Sequence, residues 1–120
     1  MSSSIVLVSH SKKIAEGLKE FIEQLCTAEV CIPESKGLGT SAIAIVDAIN
    51  RCSGDVLLIC DVGSSVINAK SALELSDKRV EIADCPFVEG AIAASISASA
   101  GSAIENIKEE AEKAWSMRKL

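Results

Sequence analysis

Asp55-Val56-Leu57-Leu58-Ile59-Cys60-Asp61 is the stretch that decides the fold. Between its two acids the run is apolar without a break. A strand with one wet face alternates apolar and polar residues, so an uninterrupted run predicts a strand covered on both faces, as in the middle of a parallel sheet. Parallel neighbours need crossovers, so helices are expected on either side of it in the chain.

The flanking sequence supplies them. Upstream, Thr40 or Ser41 caps a helix with apolar positions at Ile43, Val46, Ile49 and Ile45, ending near Cys52-Ser53-Gly54 with the glycine as a C-cap. Before it, Pro33 to Gly39 has turn chemistry, and Glu29-Val30-Cys31-Ile32 is a weaker strand. Ile14, Leu18, Phe21, Ile22 and Leu25 recur at helical spacing from about Lys12, with Ser9 or Ser11 as cap. Ile5-Val6-Leu7-Val8 opens the chain as a buried strand. Downstream, Val62 to Ser65 is expected as a loop and Val66 to Leu75 as a helix. Arg79 to Ala83 reads as a fourth strand, with a break at Cys85-Pro86. Phe87 to Ser99 reads as a buried helix of small residues, and Ile104 to about Trp115 as a charged terminal helix after Gly101-Ser102. The order β-α-β-α-β-α-β-α-α predicts an α/β domain over residues 1–120: an open, mainly parallel four-stranded sheet with helices on both faces.

Composition narrows the function classes. The 120 residues are 48% hydrophobic but only 2% aromatic, so the core must be built from Ile, Val, Leu and Ala. A net charge of −5 with no basic run argues against a nucleic-acid partner. The apolar runs are too short to span a membrane, and Met1-Ser2-Ser3-Ser4 carries no signal-peptide pattern. Cys26, Cys31, Cys52, Cys60 and Cys85 are odd in number, form no CxxC and sit in or beside apolar runs. They are expected as small buried hydrophobes in a reducing compartment, and no metal site is predicted.

Three strand-to-helix segments leave what should be the carboxyl edge of the sheet, where ligands gather in such folds. They hold Ser9-His10-Ser11, then Gly37, Gly39, Thr40 and Ser41, then Asp61, Gly63, Ser64 and Ser65. Neutral imidazole is a competent nucleophile, glycines admit close backbone approach, hydroxyls donate, and helix N-termini favour anions. Asp61 is a candidate to fix the tautomer of His10, the only histidine. Each segment alone has an ordinary explanation: a histidine on the surface, a Gly-Thr-Ser helix start, an aspartate N-cap. Their convergence on one edge predicts an anion or phosphoryl site. No GxxxxGK[ST] or GxGxxG is present to suggest a nucleotide site.

Taken together, Ile5 to Ser11, Gly39-Thr40, Cys60 to Ser65 with Asn68-Ala69 and Ala72 to Leu75, and Pro86-Phe87-Val88-Glu89-Gly90-Ala91 resemble the phosphotransferase subunits of bacterial dihydroxyacetone kinases. These belong to the mannose-type enzyme IIA group of the phosphoenolpyruvate-dependent phosphotransferase system. The resemblance covers about residues 4 to 113. It implies a cytoplasmic homodimer in which His10 accepts a phosphoryl group from the phosphocarrier HPr. The group would pass to ADP held on a partner kinase subunit, so the nucleotide belongs to the partner and this chain needs no cofactor. It implies catalytic roles for His10 and Asp61, and places Gly39, Thr40, Gly63 and Ser64 in the loops around them; Ser9, Ser41 and Ser65 are further candidates for holding the phosphoryl group. Two alternatives stand beside it: a sugar-transport IIA donating to a IIB protein, and a non-catalytic α/β binding or regulatory module. Glu89-Gly90 is expected as an ordinary helix start, Lys108 to Lys113 as a solvated face, and Trp115 as either a clamp or an exposed contact.

Overall fold

The computed structural model describes residues 3–34 and 40–120. Within them, β1 (Ser3–Val8), α1 (Lys12–Leu25), β2 (Val30–Cys31), α2 (Ala42–Arg51), β3 (Asp55–Cys60), α3 (Gly63–Leu75), β4 (Val80–Ala83), α4 (Phe87–Ser99) and α5 (Ile104–Glu112) follow in order. A 3-10 turn, Lys113–Ser116, comes last. The sheet order is β2-β1-β3-β4, and every pairing is parallel. Among the described residues no helix is long and apolar enough to cross a membrane.

The unbroken apolar run becomes a central strand, covered on both sides. Leu57 and Ile59 join Ile5 and Leu7 under α1, α4 and α5. Val56, Leu58 and Cys60 join Val6 and Val8 under α2 and α3. The helices α3 and α4 meet these faces through Ala69, Ala72, Ala91 and Ala94, whose small side chains allow close approach.

Several boundaries move. The strand β1 begins at Ser3 rather than Ile5, because it runs beside β3 for six residue pairs, from Ser3 opposite Asp55 to Val8 opposite Cys60. At the sheet edge, β2 shrinks to two residues, with only one neighbour to pair with. The helix α3 starts at Gly63, so Gly63, Ser64 and Ser65 form its first turn and not a loop. Its N-cap, Val62, makes no side-chain cap bond, and apolar periodicity begins only at Val66. Ser11 caps α1 and Ser41 caps α2, accepting from the N–H of Ile14 and Ala44. On α1 only Ala15, Leu18 and Ile22 are buried, and Ile14, Phe21 and Leu25 face outward. The apolar stripe is therefore wider than the face the sheet covers.

Gly90 has a reason beyond helix initiation. A Cβ there would stand 2.3 Å from Cys85 Sγ and 2.7 Å from Cys85 Cβ, the buried side chain of the turn between β4 and α4. Gly90→Ala is therefore expected to destabilise the protein by about 2–3 kcal/mol, the upper range for overpacking. The denaturant midpoint checks this, and a wild-type midpoint would show that the turn yields freely. Trp115 is tied to the body on one side: its indole N–H donates to the Asp84 carbonyl at 2.9 Å while its ring stays largely exposed.

Candidate active site

The register of β1 on β3 builds the site. With Val8 opposite Cys60, the residues that leave the two strands emerge side by side, and the Asp61 N–H donates to the Val8 carbonyl at 3.0 Å. This is the point where the chain reverses its direction across the sheet: β2 lies on one side of β1 and β3 on the other. Helices diverge there and leave a crevice, so His10 and Asp61 occupy the position where this topology puts ligands.

Asp61 is a hub. Its Oδ2 accepts from the His10 backbone N–H at 2.8 Å and from the Ser9 hydroxyl at 3.0 Å. Its Oδ1 accepts from the Val62 N–H at 2.7 Å and lies 3.1 Å from His10 Nδ1. Burial opposes the charge, but the N–H groups of His10 and Val62, the His10 ring and the Ser9 hydroxyl more than offset it. The carboxyl is held below the usual carboxylate range. An ionised carboxylate only accepts, so the ring proton sits on Nδ1 and the lone pair on Nε2. The Ser64 hydroxyl then donates to Nε2 at 2.8 Å. The available lone pair is thus on Nε2, in a ring about one-third exposed.

The remaining candidates divide. Ser9 braces Asp61 and accepts from the Ser11 N–H at 3.0 Å, so its hydroxyl is spent inside the loop. Ser41 is occupied as the α2 cap. Thr40 is tied by its hydroxyl and carbonyl to the side-chain amide of Asn68. Ser65 is fully buried and donates to the Val62 carbonyl at 2.7 Å, so it anchors the first turn of α3 rather than facing the edge. Gly37 and Gly39 lie outside the described residues. Gly63 and Ser64 occupy the first two positions of α3, where backbone N–H groups have no intrahelical acceptor and the helix dipole favours an anion. A Cβ at Gly63 would meet nothing within 4 Å, so that side is open. Asn68, singled out in the sequence only within the family resemblance and given no site role there, ties Thr40 to α3. Its signal was its place one helical turn after Ser64, facing the α2 entry.

The Cys60 thiol beneath the edge is held protonated. Burial pushes the Cys60 thiol up to about 11, with the Asp61 charge adding to this and the Ser65 hydroxyl opposing it. Among the described residues, no three His, Cys, Asp or Glu side chains cluster as a metal site requires.

Ser64→Ala is expected to slow any reaction of Nε2 with an incoming anion about tenfold, the value of one hydrogen bond to a charged group. Ser64 is exposed, so stability should hardly change. Stopped-flow rates beside a melting curve separate the two, and an unchanged rate would remove Ser64 from the site.

The site is thus an imidazole with one nitrogen against a carboxylate, the other against a serine hydroxyl, and a helix N-terminus beside it. Comparison with known proteins gives it a family. Residues 4–108 match the mannose-type IIA model, described as the phosphotransferase-system fructose IIA component. A DhaM phosphoryl donor subunit of a phosphoenolpyruvate-dependent dihydroxyacetone kinase from Listeria innocua is 41% identical, over 89% of this chain and 94% of its own length. The DhaM phosphotransferase subunit of Lactococcus lactis is 37% identical, over 94% and 96%. The Escherichia coli relative is 32% identical over 87% of this chain but only 25% of its own length, so there the match is one part of a longer protein. The crystal structure of EF1359, described as of unknown function, superposes with a TM-score of 0.84 at 32% identity, over 94% of this chain and 95% of that one. The chain belongs to the mannose-type IIA family of the phosphotransferase system. Within that family its curated relatives group it with the DhaM subunits of dihydroxyacetone kinases.

Proposed function

We propose that this chain is the phosphoryl donor subunit of a dihydroxyacetone kinase and carries the group on His10 Nε2. The observation that carries the reading is the imidazole held between Asp61 and Ser64. Nε2 attacks the phosphorus of the phosphohistidine on HPr, and the bond from that phosphorus to the HPr ring breaks. The His10 ring gains positive charge, which the Asp61 carboxylate offsets through the Nδ1 proton. As the Nε2 lone pair forms the P–N bond, the Ser64 hydroxyl gives up its hydrogen bond to Nε2 and turns toward the phosphoryl oxygens, which the amide N–H groups of Gly63 and Ser64 also face. In the second step ADP, held on a partner kinase subunit, supplies the attacking oxygen, and the P–N bond breaks to return neutral imidazole. Such transfer is chiefly positioning and charge stabilisation, which matches a site of fixed donors.

Both partners belong to the cytoplasm, and we place the chain there. We also propose a homodimer, which would cover the outward Ile14, Phe21 and Leu25 of α1. A sedimentation mass of a single chain would rule that out. Intact-mass spectrometry after incubation with phosphoenolpyruvate, enzyme I and HPr tests the carrier reading. One acid-labile phosphoryl group is expected, discharged by the ADP-loaded kinase subunit. Discharge only to a sugar-transport IIB protein would move the chain to the alternative pathway, and no gain at all would refute a carrier role.

A further inference from the structure

Asn68 follows Ser64 by four residues, so the two side chains leave the same face of α3, about 6 Å apart along its axis. Ser64 reaches His10 Nε2 at 2.8 Å, and Asn68 reaches Thr40, the residue before the α2 cap Ser41. Thr40 also lines the narrow crevice at the end of β1, together with Val8, Ser9 and Ser41. It therefore borders the histidine's edge from two directions: across the crevice from Ser9, and one turn of α3 from Ser64.

The chemistry of the pair fixes where the protons lie. The Thr40 carbonyl can only accept, so the Asn68 amide must turn its NH₂ toward Thr40, donating at 3.2 Å. The Thr40 hydroxyl oxygen is held against the same NH₂ and must accept as well. The two amide hydrogens suffice for the two oxygens. A hydroxyl that accepts there has to point its own hydrogen elsewhere, and among the described residues that hydrogen meets no acceptor. Ser9 and Ser65 differ, because their protons are spent on Asp61 and on the Val62 carbonyl. A tie between α2 and α3 would need only the bond to the Thr40 carbonyl. The second bond, to the hydroxyl, is the one that acts on the site.

We propose that Asn68 is a positioning residue for phosphoryl transfer: by holding the Thr40 hydroxyl as an acceptor, it presents the Thr40 proton to the phosphoryl group on His10. The inference rests on the phosphocarrier reading. A phosphoryl group in transfer spreads its charge over three oxygens. Ser64 and the first amides of α3 approach it from one side only. Thr40 stands at the entry of α2 and adds a donor from another side. A donor set in advance needs no reorganisation at the moment of transfer, which is where such hydrogen bonds gain their effect on rate.

Rapid-quench rates of phosphoryl uptake from phosphorylated HPr test this in wild type, Thr40→Val, Asn68→Ala and the double variant, with melting curves beside them. Thr40→Val keeps the shape and removes the hydroxyl, so kcat should fall about tenfold with KM within about threefold. Asn68→Ala should lose a similar factor. The double variant should lose about tenfold in total, because both changes remove the same donor. Thr40→Ser should recover most of what valine loses. The phosphorus NMR resonance of phosphorylated His10 should be displaced alike in Thr40→Val and Asn68→Ala, a change that lost stability alone would not produce. If Asn68→Ala fails to fold, Asn68→Leu, similar in size and without a donor, takes its place in the cycle. Multiplied losses of about a hundredfold in the double variant would mean that Asn68 acts apart from Thr40, and would overturn the proposal. A wild-type rate in either single variant would overturn it too. If wild-type protein takes no phosphoryl group, the carrier reading falls and this proposal with it. Wild-type uptake that no variant changes would remove Asn68 alone and leave the carrier reading standing.

Discussion

Replacing His10 with glutamine is expected to abolish phosphoryl uptake while leaving the fold intact. The fold should survive because the anchor of this loop is the backbone: the His10 N–H donates to Asp61 Oδ2 whatever the side chain. The ring is partly exposed and lies outside both core clusters. Glutamine can still donate toward Asp61 and accept from Ser64. It lacks a nucleophile, since the amide lone pair is delocalised into its carbonyl. Incorporation from phosphoenolpyruvate through enzyme I and HPr should fall below detection by intact mass, and the melting temperature should move by no more than a few degrees. Phosphoryl transfer persisting in His10→Gln would place the chemistry elsewhere and end the carrier reading. Loss of transfer together with loss of folding would show that the ring has a structural role, and the smaller Ser64→Ala effect would then be needed to separate the two.

How much of this was legible in the sequence depends on what each residue had to signal. Val56 to Cys60 announced a strand buried on both faces because burial on both faces leaves no polar position, and that pattern survives in a single chain. Ser9, His10 and Asp61 were legible as neighbours for the same reason, since a parallel sheet puts its strand ends on one edge. What the sequence could not show was the pairing of hydroxyls. Ser9, Ser41, Ser64 and Ser65 look alike in the chain, yet in the fold one braces Asp61, one caps α2, one reaches Nε2 and one is buried under the first turn of α3. Those differences come from side-chain direction over a fraction of a helical turn, which neither composition nor period encodes. The start of α3 was missed by three residues because Val62 gives none of the usual N-cap signals. Gly90 looked like a helix-start residue because the side chain that forbids a Cβ there, Cys85, is brought against it only by the turn after β4.

Asp61→Asn separates two roles that the carboxylate combines, and its effect on rate should be second only to the loss of His10. In the wild type each carboxylate oxygen accepts two hydrogen bonds: Oδ2 from Ser9 and the His10 backbone, Oδ1 from the Val62 backbone and His10 Nδ1. Asparagine has one oxygen and one NH₂. Whichever way the amide is turned, the NH₂ faces a backbone N–H, either that of His10 or that of Val62, and a donor meets a donor. One backbone donor left unsatisfied costs about 1–3 kcal/mol, which an unfolding curve at neutral pH should register. The pH dependence has a definite sign. The Asp61 carboxyl is held below its unfolded value, near 3.9, so the ionised form stabilises the native state. That contribution is complete above the ordinary carboxylate range and is lost as pH falls through the folded value. The stability gap between wild type and Asp61→Asn should therefore be widest near neutrality and should narrow in acid, where both side chains are uncharged. The rate should fall further than the stability. Without a full carboxylate beside Nδ1, nothing holds the proton there. The tautomer carrying it on Nε2 becomes populated, and the positive charge that develops on the ring loses its partner. In a Ser-His-Asp triad the same carboxylate-to-amide change lowers kcat about 10⁴-fold through the wrong tautomer, and a loss of about 10³-fold or more is expected for phosphoryl uptake here. A rate close to wild type with the stability loss intact would mean that Asp61 shapes the loop and nothing more. The ring would then have to be oriented from its other side, by Ser64.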